Sequence, residues 1–279
     1  MIRRILVALD DTPGARAGVD EALALARTTG AGLGAALVLD VPHTSDLNEP
    51  VPPGGIAFLE HRNEALRRLV TEEAETALAE FVAKAGELPF EVLRLPEAPE
   101  KALLRASSLY DLIVIGRDAT LGREEVDDDA LAPVISALLQ HGSKPLLVVP
   151  PEMQPRPAGM ILIGYDGSVP AQRALSSFAL LGLAGDMQVQ VLSIAAKKEE
   201  ARALAAEATS FLAAHDILAE AIGLEGERPI DLLLAEVEIL KPRLLVAGAY
   251  EENGLLALLL GSGTRKLLTE VTCPVFIQH

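Results

Sequence analysis

Short apolar runs alternate with longer amphipathic stretches along the whole chain. Ile5 to Leu9 reads ILVAL and stops at Asp10-Asp11, which predicts a buried strand. From Ala15 to Thr29 the apolar positions Val19, Ala22, Leu23, Leu25 and Ala26 fall at helical spacing, and Gly30 ends the helix. Ala35 to Val41 predicts the second strand, and Pro42 to Gly55, rich in Pro, Gly, Asn, Ser and Asp, a loop. A long helix with charged i,i+4 pairs on its outer face is expected from about Phe58 to Gly86. Next come a strand at Phe90 to Leu95, a helix at Pro99 to Ser108 and a buried strand, DLIVI, ending at Gly116. A helix at Leu131 to Gln140 and a closing strand at Leu146 to Val149 complete the series. Such alternation predicts parallel strands with crossover helices on both faces of a sheet.

Pro150 to Ala158, PPEMQPRPA, reads as a linker. After it the pattern begins again. ILVALDDTPGARA from Ile5 matches ILIGYDGSVPAQR from Ile161. Leu39-Asp40-Val41 is aligned with Leu192-Ser193-Ile194, DLIVIG with RLLVAG ending at Gly248, and KPLLVV from Lys144 with CPVFIQ from Cys273. Four matches in the same order make the halves copies of one fold. The domains are placed at 1–150 and 156–279, the second lacking most of the loop after strand two.

Composition narrows the function. Half of the 279 residues are hydrophobic and none is Trp, so the core is expected to be aliphatic. The net charge of −16 repels phosphate backbones and argues against nucleic acid and membrane surfaces as partners. One cysteine, Cys273, leaves no internal disulfide and fits a reducing cytoplasm. The opening MIRRILVALDD is not read as a signal peptide, and no run has the length of a membrane helix.

These motifs resemble the universal stress protein family, once per half and over nearly the whole chain. The marks are a first strand ending in Asp, a DLIVxG strand, a Gly-Ser helix start and a closing xPVLVV strand. The resemblance implies two tandem doubly wound α/β domains of flavodoxin- or Rossmann-like type, each with five parallel strands. It also implies that the last strands, Leu146 to Val149 and Val275 to Gln278, pair within the chain as an internal pseudo-dimer; a further homodimer is compatible with this. Some family members bind ATP or AMP and others bind neither. The family's phosphate motif is G-x2-G-x9-G-[ST]. Gly248 matches its first position and Gly261-Ser262 its last two, but Glu251 stands where the middle glycine belongs. A carboxylate there repels phosphate unless it swings outward or a metal such as magnesium intervenes. Gly261, Ser262, Gly263 and Thr264 offer amides and hydroxyls at a helix start, with Arg265 and Lys266 adding positive potential. By the same match Asp166 contacts the nucleoside and the backbone of Ile194 holds the base. The implied function is a regulatory stress-response protein with an adenine nucleotide in its second domain. The alternative is a nucleotide-free scaffold.

The first half departs further. Gly116, Asp10 and Val41 remain, but Ala132-Pro133 replaces the Gly-Ser start, and Glu124, Glu125, Asp127, Asp128 and Asp129 crowd the intervening loop. That run reads as a solvated acidic loop or, without EF-hand spacing, as a divalent-cation site. Asp10 and Asp166 are equally well turn acids bonded to their own backbone, and GSGT a plain helix cap. No P-loop, G-x-G-x-x-G or nucleophile elbow occurs, and no histidine pairs at metal spacing. The chain is thus not expected to be a conventional enzyme; slow ATP hydrolysis is the most the residues admit.

Overall fold

The computed structural model describes residues 1–45, 55–123, 131–152, 159–249 and 261–279. The first half runs β1 (Arg4–Leu9), α1 (Pro13–Thr29), β2 (Gly32–Val38), α2 (Val41–Thr44), α3 (Ile56–Ala85), β3 (Phe90–Leu95), α4 (Pro99–Ser107), β4 (Leu112–Gly116), α5 (Pro133–His141) and β5 (Leu146–Val149). The second repeats it as β6 (Met160–Gly164), α6 (Val169–Leu181), β7 (Gln188–Ala195), α7 (Lys198–Ala213), β8 (Ala219–Glu225), α8 (Pro229–Leu240), β9 (Leu244–Gly248), α9 (Ser262–Glu270) and β10 (Val275–Gln278).

Local chemistry repeats with the elements. Thr12 and Ser168 cap α1 and α6, each hydroxyl accepting from the N–H three residues on, Ala15 or Ala171, at 3.3 Å. Gly30 and Gly182 end those helices in the left-handed region, at φ 73° and 71°. Along β1, Ile5, Val7 and Leu9 face one side and Leu6 and Ala8 the other. The first face carries α1, α3, α6 and α7, the second α4, α5, α8 and α9, so the sheet is covered on both sides.

All ten strands form one sheet, ordered β3-β2-β1-β4-β5-β10-β9-β6-β7-β8. Every pairing is parallel except the central one, where β5 and β10 run antiparallel with Val275 opposite Val148 and Ile277 opposite Leu146. Beside this junction Phe276, wholly buried, meets the edge of Phe178 at a centroid distance of 6.4 Å.

Two arginines cross the junction, one on each face. Arg243, before β9, donates to Glu21 of α1 at 2.6 Å. Arg117, after β4, donates through one nitrogen to the carbonyls of Leu268, Thr269 and Val271 at 3.1, 2.7 and 3.0 Å, at the C-terminal end of α9. Cys273 is buried beside β10, as a small core residue should be.

One expected alignment needs correction. Strand register pairs Ile5 with Leu33 and Ile161 with Val189, so the counterpart of Ile194 is Val38 rather than Val41. The second strand stops at Val38 because Asp40 turns the chain at φ 37°, and Val41 starts the short helix α2 with its side chain exposed. A one-sided apolar run cannot reveal such a turn, because Asp40 tolerates the left-handed region without glycine.

Phe276→Ala should lower unfolding free energy by about 3–5 kcal/mol in urea denaturation, as for other buried phenylalanines. A loss below about 1 kcal/mol would mean that the junction is not part of the cooperative core.

Candidate functional site

In a doubly wound sheet the crevice for a ligand opens beyond the carboxyl ends of the strands where the strand order reverses. Here that happens twice, beside β1 and β4 and beside β6 and β9.

The first crevice is occupied by its own chain. Asp10, just past β1, is buried, and its carboxylate accepts from the N–H groups of Thr120 and Leu121 at 2.7 and 3.0 Å and of Asp11 at 3.1 Å. Burial pushes its carboxyl above the ordinary carboxylate range, with the N–H donors of Leu121, Thr120 and Asp11 opposing the shift. The loop so held bends sharply, with Leu121 at φ 53° and 2% exposed and Gly122 at φ 82°. A Cβ on Gly122 would lie 2.7 Å from Val70 of α3, so only glycine lets the loop close against that helix. Next, Arg123 spans two acids, donating to Asp40 at 2.8 Å and to Glu100 at 2.8 Å. The Asp40 side chain is 1% exposed. What remains is a cavity of about 110 Å³ lined by Pro99, Glu100, Ala119, Thr120, Arg123, Pro133 and Val134. The acidic run at 124–129 lies outside the described residues.

The second crevice is built differently. Two helix starts, those of α8 and α9, open on a cavity of about 280 Å³ lined by Arg228, Pro229, Ile230, Asp231, Ser262, Gly263 and Lys266. Neither N-cap residue, Arg228 or Gly261, caps its helix with a side chain, which is equally true of Ala98 and Ala132 before α4 and α5. The first amides of a helix have no partner within it, and with the positive ends of two helix dipoles they favour an anion there. Lys266 donates to Asp231 at 2.5 Å and Arg228 pairs with the same carboxylate at 3.1 Å, so one acid offsets two cations. The Lys266 hydrogen bond holds the Asp231 carboxyl below its ordinary range.

Of the residues expected from sequence, Ser262 and Gly263 line this cavity and Gly261 is the residue that starts α9. Thr264, in the first turn of α9, is buried and is not among the residues that line the cavity. Ile194 sits near the end of β7 and leans toward Gly226 on the α8 side. Asp166 lies just past β6, where its carboxylate accepts from the Ser168 N–H at 2.9 Å and so shapes the start of α6. Glu251 lies outside the described residues. Arg228 and Asp231 were missed in sequence. Their signal was the alignment of EAPEK with ERPID, each with proline at the first turn of the helix after the edge strand.

Gly248 has a structural duty. A Cβ there would lie 2.3 Å from the Ala171 nitrogen at the start of α6; on Gly116 it would lie 2.3 Å from the Ala15 nitrogen at the start of α1. Both glycines let a helix start rest on the neighbouring strand end, whether or not the rest of the motif is present.

Gly116→Ala and Gly248→Ala should therefore both destabilise the chain, by about 1–3 kcal/mol in chemical denaturation, since backbone must move to admit the methyl. An unchanged Gly248→Ala would leave that glycine a ligand role alone. For Asp10, the raised value means that the folded chain binds its proton more tightly than the unfolded chain does. Its stabilising contribution is complete below the ordinary 3.8 and is lost as pH rises through the folded value. The stability difference between wild type and Asp10→Asn should thus fall with pH across that window; a flat difference would remove the burial argument.

The sequence profile described as "Universal stress protein family" matches residues 1–150 and again 159–279. Among solved structures, a universal stress protein from Archaeoglobus fulgidus DSM 4304 superposes with a TM-score of 0.69 at 17% identity, covering 99% of this chain and 95% of that one. A putative universal stress protein from Pseudomonas aeruginosa UCBPP-PA14 gives 0.61 at 17% identity, covering 99% and 93%. No curated protein matches the chain. The twofold profile match spans nearly every residue of a sheet whose halves repeat one topology, and the chain therefore belongs to the universal stress protein family.

Proposed function

We propose that the chain is a cytoplasmic stress-response protein that takes an adenine nucleotide, ATP or AMP, in its second domain and acts as a regulatory module. The domains are read as 1–150 and 156–279. The observation that carries this reading is the contrast between the crevices. The first is filled by residues 117–123 and knitted together by Asp10, Asp40, Glu100 and Arg123. Among the described residues the second keeps a wider cavity, about 280 Å³ against about 110 Å³, with the two basic side chains Arg228 and Lys266 beside its helix starts. Phosphates would lie against Gly261, Ser262 and Gly263, with Arg228 and Lys266 beside them. Asp166, Ile194 and Gly248 stand at the neighbouring strand ends, where a nucleoside extending from those phosphates would reach. The family membership supports this placement without supplying its residues. Among the described residues no group of three His, Cys, Asp or Glu is set to hold a metal; a magnesium ion is proposed only as a companion of the nucleotide. Among the described residues no helix is long and apolar enough to cross a membrane.

A second reading, a nucleotide-free scaffold acting through protein contacts, is favoured by one observation. Asp166 and Lys266 already have partners within the chain. A ligand would have to compete for both.

Isothermal calorimetry with ATP and with AMP, with and without magnesium, separates the two. The first reading expects one site per chain and a loss of about tenfold or more in Gly261→Asp, which adds a carboxylate beside the phosphates. Binding that survives Gly261→Asp would move the site away from α9. No binding under any condition would leave the scaffold.

A further inference from the structure

The helix that carries the candidate phosphate turn is held from the other half. α9 has nine residues, short enough that its order depends on what satisfies its ends. Its first turn has no side-chain cap. Its last turn gives three carbonyls, those of Leu268, Thr269 and Val271, to the guanidinium of Arg117. A cation at a helix C-terminus also complements the dipole.

Arg117 begins the segment that closes the first crevice. Its own N–H donates to the Val149 carbonyl at 2.8 Å. One residue on, Asp118 accepts from the Gly14 N–H at 3.1 Å, at the start of α1. Thr120 and Leu121 are bound by Asp10, and Arg123 ends the segment on Asp40 and Glu100. Five of these seven consecutive residues are thus pinned to α1, α4, β5 and the turns just past β1 and β2, and the first side chain of the seven reaches out to α9.

Among the described residues the guanidinium brace has no twin. Ala249 is the counterpart of Arg117: each follows the glycine that closes its strand, and each N–H donates to the neighbouring last strand, at Val149 or Gln278. Alanine has no group with which to cap α5 in return. The first half therefore braces α9 through Arg117, while α5, which starts at Ala132-Pro133, has no such brace from Ala249; just past its end the Gln278 side-chain amide donates to the Ser143 carbonyl at 3.3 Å.

We propose that residues 117–123 form a strap through which the first half positions α9, with Arg117 the positioning residue and Arg123 its far anchor. The consequence for nucleotide binding rests on the reading of α9 given above; the mechanical link does not. With α9 held at its C-terminal end, Gly261 to Gly263 keep a fixed place opposite Arg228, and loosening the first crevice loosens that turn.

Hydrogen–deuterium exchange of the full, ligand-free chain tests the link. Arg117→Ala should speed exchange of the 266–271 amides about tenfold, the effect expected for losing hydrogen bonds to a charged group. Arg117→Lys, which keeps the charge, should recover part of that protection. The deciding variant is Arg123→Ala, whose hydrogen bonds run to Asp40 and Glu100 and none to α9. It should speed the same amides about threefold or more. Arg94→Ala, which breaks an exposed ion pair with Glu75, should leave them unchanged and so reports any general destabilisation. Unchanged α9 exchange in Arg123→Ala, with Arg117→Ala fast, would overturn the strap. Unchanged exchange in Arg117→Ala would overturn it too. Equal acceleration by Arg94→Ala would reduce the effect to global stability and also overturn it. Because no ligand is present, failure here is distinct from failure of the nucleotide reading, which calorimetry tests.

Discussion

The antiparallel pairing of β5 with β10 sets the terms for the rest of the molecule. Each half on its own would end in a four-residue strand, wholly apolar in β5 and nearly so in β10, with a bare edge of backbone donors and acceptors. Such an edge is an aggregation hazard unless something covers it. Two copies of the same fold cover each other when one is turned about an axis between the last strands, and that rotation makes the junction antiparallel while every other pairing stays parallel. The same rotation brings parts of one half next to the other on both faces of the sheet. Arg243 can meet Glu21 on one face and Arg117 the end of α9 on the other only because of that axis. Joining the halves in one chain then frees the two from having to match. A symmetric dimer would repeat every contact; here Arg117 has alanine as its counterpart.

That freedom shows at the crevices. The two backbones share strand order and the Thr12 and Ser168 caps, but they part after the second strand, and their buried side chains differ. In the first, buried carboxylates at Asp10 and Asp40 demand partners, since an uncompensated charge away from water is expensive. The chain supplies them from its own loop, as amides for Asp10 and a guanidinium for Asp40. The result is a crevice whose charges are met internally. In the second, Asp166 is only partly buried and, among the described residues, accepts from the Ser168 amide, and the acid that lines the cavity, Asp231, is partly exposed. Its charges are paired in a setting where water and salt keep the pairing weak, so exchange for another partner costs little.

Much of the fold was legible because it is written in local signals. Strand runs, Thr12 and Ser168 as caps and Gly30 as a terminator each act within a few residues, and the repeat doubled every signal. The linker reading falls mainly on 153–158, outside the described residues, as does Glu251. The alignment of Leu39-Asp40-Val41 with Leu192-Ser193-Ile194 failed by three residues because the two second strands end differently. One turns at a left-handed aspartate; the other runs on to Ala195. The roles of Arg117 and Arg123 were not legible at all. Each depends on partners far along the chain, more than 150 residues away for the Val271 contact, and nothing in a run such as GRDATLGRE says which carbonyl or carboxylate a guanidinium will find.

The candidate site shows which motif residues carry information about a ligand. Gly248 fits the family pattern, but Gly116 is kept in a half whose crevice is full, and both meet the same steric demand from a helix start. A residue required by packing is present with or without a ligand, so its presence does not discriminate. The same holds for Asp166, which shapes a turn, and for Thr264, which is buried. Gly261, Ser262 and Gly263 are different. The corresponding positions in the first half begin with Ala132-Pro133, and α5 forms and packs there just as well. The fold thus accepts either start at this helix. It is at these three positions, where the halves differ in sequence but not in helix, that the proposed anion site separates from the shared fold.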